Sequence, residues 1–415
     1  MSDTKSRLIT FLRWSEKYTK TDMVYLAKGG AWFGLGTALS WTISFFTIIA
    51  FANLIPKETY GQYQYVLSII GIFGIMTLTG MDTAIARAAA RGKDGSLFDA
   101  LREKIKWGFL GGLGSILLGA YYFINDNSLL GWSFIIAGLL IPFWTTPGIY
   151  LNYAQGKKRF DISSVYDVGA QLLAAITVIT ALFVSKSLIV ILTAYLLSWG
   201  LARIVLFYIT IKKLPPNNER DPETISYGKH LTVMSVMSKI SVNVDTLLLW
   251  HIVGPAAIAV YVFAQSLPLR IAGLTKFVDR VAFPKMATQD MATIQKTLLR
   301  KVLLSCAVAA FAALAYIIAA PYLFHLFFPK YIDAIPLTRW LSLLIVLQPF
   351  SLFLNPLTSH AKQKILYVYN FVIPLLRAAI FFLLIPPFGV LGAVAGLILV
   401  KALDGGLVTF LFYQA

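Results

Sequence analysis

Seven basic side chains stand inside stretches that are otherwise apolar: Arg203, Lys239, Arg270, Lys276, Arg339, Arg377 and Lys401. A charge at the centre of a membrane helix costs roughly 2.5 to 3.5 kcal/mol even on lenient insertion scales, so each of them needs a partner or water. Five of the seven (Lys239, Arg270, Lys276, Arg377 and Lys401) fall in the second half, away from helix ends, where the clear acidic counterparts are only Asp245 and Asp404. Pairing alone leaves that set positive, which implies a water-filled cavity of positive net charge. Arginine offers a planar fork for bidentate contact with an oxyanion and lysine a point charge. The chemistry expected of these residues is binding of an anion.

Spacing sorts the set further. Lys239, Asn243, Thr246 and Trp250 fall at i, i+4, i+7 and i+11, a polar stripe on one helix face, with Arg270 expected near mid-membrane on the next helix. The expected substrate-binding set is therefore Arg270, Lys239, Arg377, Lys276, Lys401 and Asn243. Asp245 reads either as an ion-coupling group for H+ or Na+ or as the counter-ion of Lys239 or Arg270. Asp404 follows Lys401 by three residues, a spacing that allows a local pair on one helix. Arg203 and Arg339 are close enough to helix ends to snorkel, and Asp82, Asp161 and Asp167 read as caps or loop anchors. No HExxH, CxxC, GxSxG or phosphate-loop pattern occurs, and His230, His251, His325 and His360 are too scattered for a metal site. The single cysteine, Cys306, excludes an intrachain disulfide. Neither a cofactor nor a catalytic residue is expected.

The elements that must position these residues follow from composition. Of 415 residues, 58% are hydrophobic and 13% charged, whereas a soluble chain carries about a quarter charged residues. A membrane helix needs about 20 mostly apolar residues, and such stretches run over 31–55, 61–84, 107–124, 129–151, 162–184 and 187–211, then over 229–253, 257–281, 302–328, 335–358, 365–385 and 388–413. These runs are too long and too uniformly apolar for barrel strands, so the expected fold is an all-α polytopic membrane protein with about 12 spans. Alternating the loops across the membrane places 26 Lys and Arg on one side and only Lys57, Lys186 and Lys330 on the other. The positive-inside rule then puts both termini in the cytoplasm. One missed helix would invert every later loop and spoil that alternation.

Most of the formal charge of +17 is thereby explained by topology and contact with anionic lipid headgroups, which leaves no call for nucleic acid as a partner. Residues 1–30 carry no signal peptide and read either as a basic topogenic tail or as an amphipathic helix lying in the interface. A polar stretch at 212–228, with Pro215, Pro216 and Pro222, reads as a cytoplasmic linker between an N-lobe at 31–211 and a C-lobe at 229–415. Sliding the second half on the first by 198 positions aligns LIPKETYGQYQYVLS from Leu54 with IVGPAAIAVYVFAQS from Ile252, so that Tyr63 meets Tyr261 and Gly61 meets Ala259. Six spans per lobe make this a parallel repeat about a pseudo-two-fold axis along the membrane normal, as in transporters whose two bundles rock around a central site.

The run from Lys28 to Gly92, with its glycine-rich entry, NLIPKETYGQYQYVLSIIGIFG and GMDTAIARAAARG, resembles the amino-terminal signature of bacterial Wzx-type oligosaccharide flippases, the polysaccharide transporter family of the MATE-like MOP superfamily. The resemblance implies the fold shared with multidrug and toxin extrusion transporters and lipid II flippases. It implies a polyprenyl-pyrophosphate-linked oligosaccharide as cargo, moved from the cytoplasmic to the outer leaflet of the inner membrane. It also suggests polysaccharide polymerase or assembly proteins as partners. The cationic second lobe suits a pyrophosphate or an acidic sugar. A MATE-type drug or cation antiporter is the nearest rival, but it calls for acidic groups that spans one and two lack. A polymerase or ligase calls for a large external loop, and the external connections here are short.

Overall fold

Backbone amides find no water in hydrocarbon, so apolar runs of this length close their hydrogen bonds within helices. The computed structural model describes residues 23–274, 286, 290–360 and 362–415, and among these it contains helices and no strand. Lys276 and the amino-terminal stretch before Met23 lie outside the described residues. The first half forms α1 (Met23–Leu54), α2 (Lys57–Phe73), α3 (Met81–Ala90), α4 (Ser96–Ile124), α5 (Ser128–Trp144), α6 (Ile149–Gly156), α7 (Phe160–Val184) and α8 (Leu188–Lys213). The second forms α9 (Thr224–Ser241), α10 (Val244–Ile252), α11 (Pro255–Gly273), α12 (Met291–Phe327), the short α13 (Ile335–Leu341), α14 (Leu343–Leu347) and α15 (Leu354–Ser359), and α16 (Gln363–Tyr413).

Among the described residues, 10 helices are long and apolar enough to cross a membrane, or 11 when the bent pair Lys57–Thr77 and Met81–Ala90, at 46°, is counted as one span. The 50-residue run Lys364–Tyr413 is too long for one crossing of about 20 residues. It breaks at Gly389, whose φ of 55° is a conformation that costs glycine little and other residues more. The expected spans 365–385 and 388–413 are the two sides of that break. The chain is a multi-pass membrane protein.

Small residues decide the tightest helix pair. Gly108, Gly112, Ser115 and Gly119 line one face of α4, and a methyl group on Gly112 would overlap the carbonyl of Gly138 on α5. The Ser115 hydroxyl donates to the Phe134 carbonyl at 2.8 Å. Without a hydrophobic drive between helices in lipid, such close backbone approach supplies the packing energy.

The helix α4 starts at Ser96, well before the apolar run that begins at 107, and this changes the place of one lysine. Lys104, counted with the loops in sequence, is only 1% exposed and its Nζ lies 2.5 Å from Asp82 Oδ1. Asp82 is thus an ion-pair partner on α3 rather than a cap. Removing one member of a buried pair strands the other charge, so Asp82→Ala is expected to lower stability by about 3 kcal/mol. Lys104→Met, which leaves only the half-exposed carboxylate, should cost less. Thermal melting of the two purified variants checks the order.

Contacts divide the chain into two compact units. One takes the chain up to Ala50 with Phe73–Ser185 and Ile189–Met234; the other takes Phe51–Ile72, Lys186–Leu188 and Ser235–Ala415. The 212–228 segment is strapped within the first unit by polar contacts. Gly95 N–H donates to the Glu219 carbonyl at 2.9 Å, Asp221 N–H to Ser96 Oγ at 2.8 Å, and Lys93 Nζ to Glu219 Oε2 at 2.7 Å. That last bond holds the Glu219 carboxyl below its ordinary range and the Lys93 ammonium above its own. Asp94, beside them, takes Lys157 at 2.7 Å.

Candidate functional site

Helix α16 carries two polar faces, one on each side of its break. Asn370, Ile373, Pro374 and Arg377 repeat at i, i+3, i+4 and i+7, as do Leu397, Val400, Lys401 and Asp404, the spacing of one helical stripe. Both stripes line a cavity of about 320 Å³ within the second unit, closed by Ser238 and Ser241 from α9, Leu269 from α11, Leu344 and Gln348. Tyr369 completes the wall and its hydroxyl donates to Asp404 Oδ1 at 2.5 Å. Lys401 Nζ reaches the other oxygen of Asp404 at 3.1 Å, so the local pair allowed by the spacing forms.

Behind Arg377 lies Asp245, 4% exposed, at the start of α10. Its Oδ2 accepts from the Tyr261 hydroxyl at 2.9 Å and from Arg377 Nη2 at 3.4 Å, while Oδ1 accepts from the Thr246 backbone at 2.8 Å. The counter-ion of Asp245 is therefore Arg377, not Lys239 or Arg270. Arg377 keeps donor capacity, because its buried Nε has no hydrogen-bond partner and Nη2 makes only long contacts, to Asp245 and to the Val242 carbonyl at 3.4 Å. Its guanidinium also lies 5.3 Å from the Phe381 ring centroid, within reach of a cation–π contact.

The expected stripe on the seventh span is interrupted. α9 ends at Ser241 and α10 begins at Val244, and Asn243 turns its Nδ2 back to the Lys239 carbonyl at 3.0 Å. Trp250 stacks on Tyr65 with centroids 4.1 Å apart and planes 11° apart. Lys239, Asn243 and Arg270 are not among the cavity's lining residues, although Ser238, Val242 and Leu269 beside them are; Arg270 lies within electrostatic range of Tyr60 on α2. Of the expected set, then, the cavity gathers Arg377, Lys401 and Asp404, with Asp245 one bond behind. Ser238, Ser241, Gln348, Tyr369 and Asn370 were missed. Only the i, i+3, i+4, i+7 register with Arg377 and Lys401 marks some of them in sequence. Chemically the wall offers the Lys401–Asp404 pair, the Arg377 guanidinium, hydroxyls and two amides, a lining suited to an oxygen-rich polar ligand.

Arg203, expected to snorkel, is instead turned inward. The span Ser128–Gly156 breaks at Thr146–Gly148, where Gly148 N–H bonds to the Thr145 carbonyl and leaves that of Trp144 without its helical donor. Arg203 Nη1 supplies it at 2.9 Å, and Asp167 lies within electrostatic range of the same guanidinium. A broken helix at membrane depth re-satisfied by a charged neighbour is a stronger pull than the headgroup region.

A family model described as "Polysaccharide biosynthesis protein" matches residues 26–290. No curated protein matches the chain. Solved structures with similar folds include the lipid II flippase MurJ in an inward closed conformation, with a TM-score of 0.71 and 14% identity over 91% of this chain and 86% of that one. An inward-facing multidrug resistance MATE family transporter of the MOP superfamily follows at 0.65 and 14%, over 90% and 94%. A MOP superfamily transporter from Pyrococcus furiosus, described as having a binding pocket of reverse polarity, aligns at 0.55 and 14%, over 93% and 95%. At such identities the likeness establishes the fold, which is that of the MATE and MOP transporters. With most of its length matched by the family model, the chain belongs to the polysaccharide biosynthesis protein family.

Proposed function

We propose that the protein is a flippase that moves a polyprenyl-pyrophosphate-linked oligosaccharide from the cytoplasmic to the outer leaflet of the bacterial inner membrane by alternating access of an N-lobe and a C-lobe. The observation that carries this reading is the polar cavity in the second unit of a polysaccharide-biosynthesis protein, with Arg377 in its wall making only long contacts of 3.4 Å through the donors of Nη2. Those donors suit a pyrophosphate or acidic sugar, and the surrounding hydroxyls and amides suit a glycan. Asp245, bonded to Arg377, is the candidate for H+ or Na+ coupling, since loss of its charge would release the arginine toward the cavity. Both termini and the 212–228 segment are assigned to the cytoplasm by the distribution of basic residues.

The test is deletion of the gene followed by identification of the lipid-linked glycan that accumulates facing the cytoplasm. Arg377→Ala and Arg270→Ala in the complementing copy are each expected to reproduce the accumulation while remaining inserted. Normal export by both variants would sink the cationic mechanism, and a deletion strain that accumulates no glycan but gains drug sensitivity would move the reading to an antiporter.

A further inference from the structure

The first unit holds a second polar cluster, at the break between α5 and α6, that takes no part in the cavity described above. Three buried polar atoms there have no hydrogen-bond partner: Tyr150 Oη, Tyr166 Oη and Arg203 Nε. Buried polar groups are nearly always satisfied, so three unsatisfied ones in one neighbourhood call for an explanation. They are neighbours by several measures. The Tyr150 and Tyr166 rings lie 6.3 Å apart, Tyr150 is within electrostatic range of Arg203, Asp167 and Tyr166, and the guanidinium lies against Gly148, where a methyl group would sit 3.4 Å from Nε. Tyr150 is 0% exposed. Arg203 Nη1 is already committed to the Trp144 carbonyl, and the plane of the guanidinium is backed by Trp199 at 4.5 Å.

The donor chemistry restricts what belongs here. A guanidinium N–H only donates, and the phenols can donate as well, so the missing partner is an acceptor that can serve several donors at once. Asp167 is the nearest acidic candidate, yet it interacts with Arg203 through space and makes no hydrogen bond to it. Its negative charge also disfavours a multiply charged ligand. We infer that the first unit contains a site for a small monovalent inorganic anion such as chloride, held by Arg203, Tyr150 and Tyr166 at the break in the α5–α6 span. The site is independent of the cargo reading, because it lies in the other unit and uses none of the cavity residues.

The test uses the full-length purified protein melted in sodium bromide against sodium gluconate at matched ionic strength. A ligand bound only by the folded state raises the melting temperature saturably, so bromide is expected to stabilise the wild type along a saturation curve. Arg203→Gln and Tyr150→Phe should each abolish that dependence, and Asp167→Asn should lower the half-saturating bromide concentration about tenfold by removing a nearby like charge. Identical melting of the wild type in both salts overturns the site and leaves water as the partner of these donors. So does a bromide curve unchanged in Tyr150→Phe, which would place the halide elsewhere, or unchanged in Asp167→Asn. Should Arg203→Gln fail to fold, the wild-type titration and Tyr150→Phe decide the matter alone.

Discussion

Gly61→Leu is expected to abolish transport while the protein still inserts, scored by failure to complement a deletion strain that accumulates lipid-linked glycan. The reason is a backbone contact within the second unit. A Cβ at Gly61 on α2 would overlap the carbonyl oxygen of Pro255 at the start of α11, and a backbone atom cannot rotate away as a side chain can. Around this crossing α2 is fastened at several points. Lys57 pairs with Asp333 at 2.7 Å, Lys330 Nζ donates to the Asn53 carbonyl at 2.7 Å, and Asn53 Nδ2 donates to the Phe327 carbonyl at 2.9 Å. Tyr60 packs on Phe263 at 4.9 Å, and Phe263 on Tyr331 at 3.9 Å. Overpacking alone costs about 1–3 kcal/mol, and prying α2 outward would also forfeit these contacts. Gly61→Ala should show a smaller loss of the same kind. Full export by Gly61→Leu would mean that this close approach is not needed at any point in the transport cycle.

The same crossing shows where sequence reasoning stopped. Apolar length was enough to place α2 in the membrane, and the register of the internal echo set Gly61 over Ala259. Neither feature says which helices a span packs against, since lipid-facing and protein-facing apolar residues look alike when both surroundings are hydrocarbon. The grouping of Phe51–Ile72 with the second unit depends on that packing, on one glycine and on a few polar bonds at loop ends. The twelve apolar runs were legible because each needs only local composition, and the gap between the last two runs falls on Pro386 and Pro387, within three residues of the break at Gly389.

For the site, charge was legible and neutral polarity was not. Arg377, Lys401, Asp245 and Asp404 stand out because ionisable groups in apolar helices are costly and so must be placed for a reason. Serine, asparagine, glutamine and tyrosine carry a smaller penalty, and Ser238, Gln348, Tyr369 and Asn370 went unread. Arg203 was misplaced because its distance to the helix end was measured along its own helix. The pull came from another span, where Pro147 lies within a break and a carbonyl is left unpaired. A proline in one apolar run and an arginine in another make a joint signal that neither makes alone.

Asp245→Ala is expected to destabilise the protein more than any other single change at the cavity. Removing the carboxylate leaves the buried Tyr261 hydroxyl without its acceptor and Arg377 without its counter-ion, and stranding one member of a buried pair costs about 3–5 kcal/mol. Asp245→Asn keeps an acceptor oxygen for Tyr261 but loses the charge, so it should fall between the wild type and alanine. Pairing Asp245→Asn with Arg377→Gln removes the stranded charge and should recover most of the stability, because replacing both partners avoids the penalty of isolating one. Transport separates the structural role from the binding role. The variant that tells the roles apart keeps Asp245 intact: Arg377→Lys retains the charge but loses the fork, and if Arg377 serves only to neutralise Asp245 it should export as well as it folds. If its spare donors hold the cargo, Arg377→Lys should melt near the wild type and still accumulate the unexported glycan.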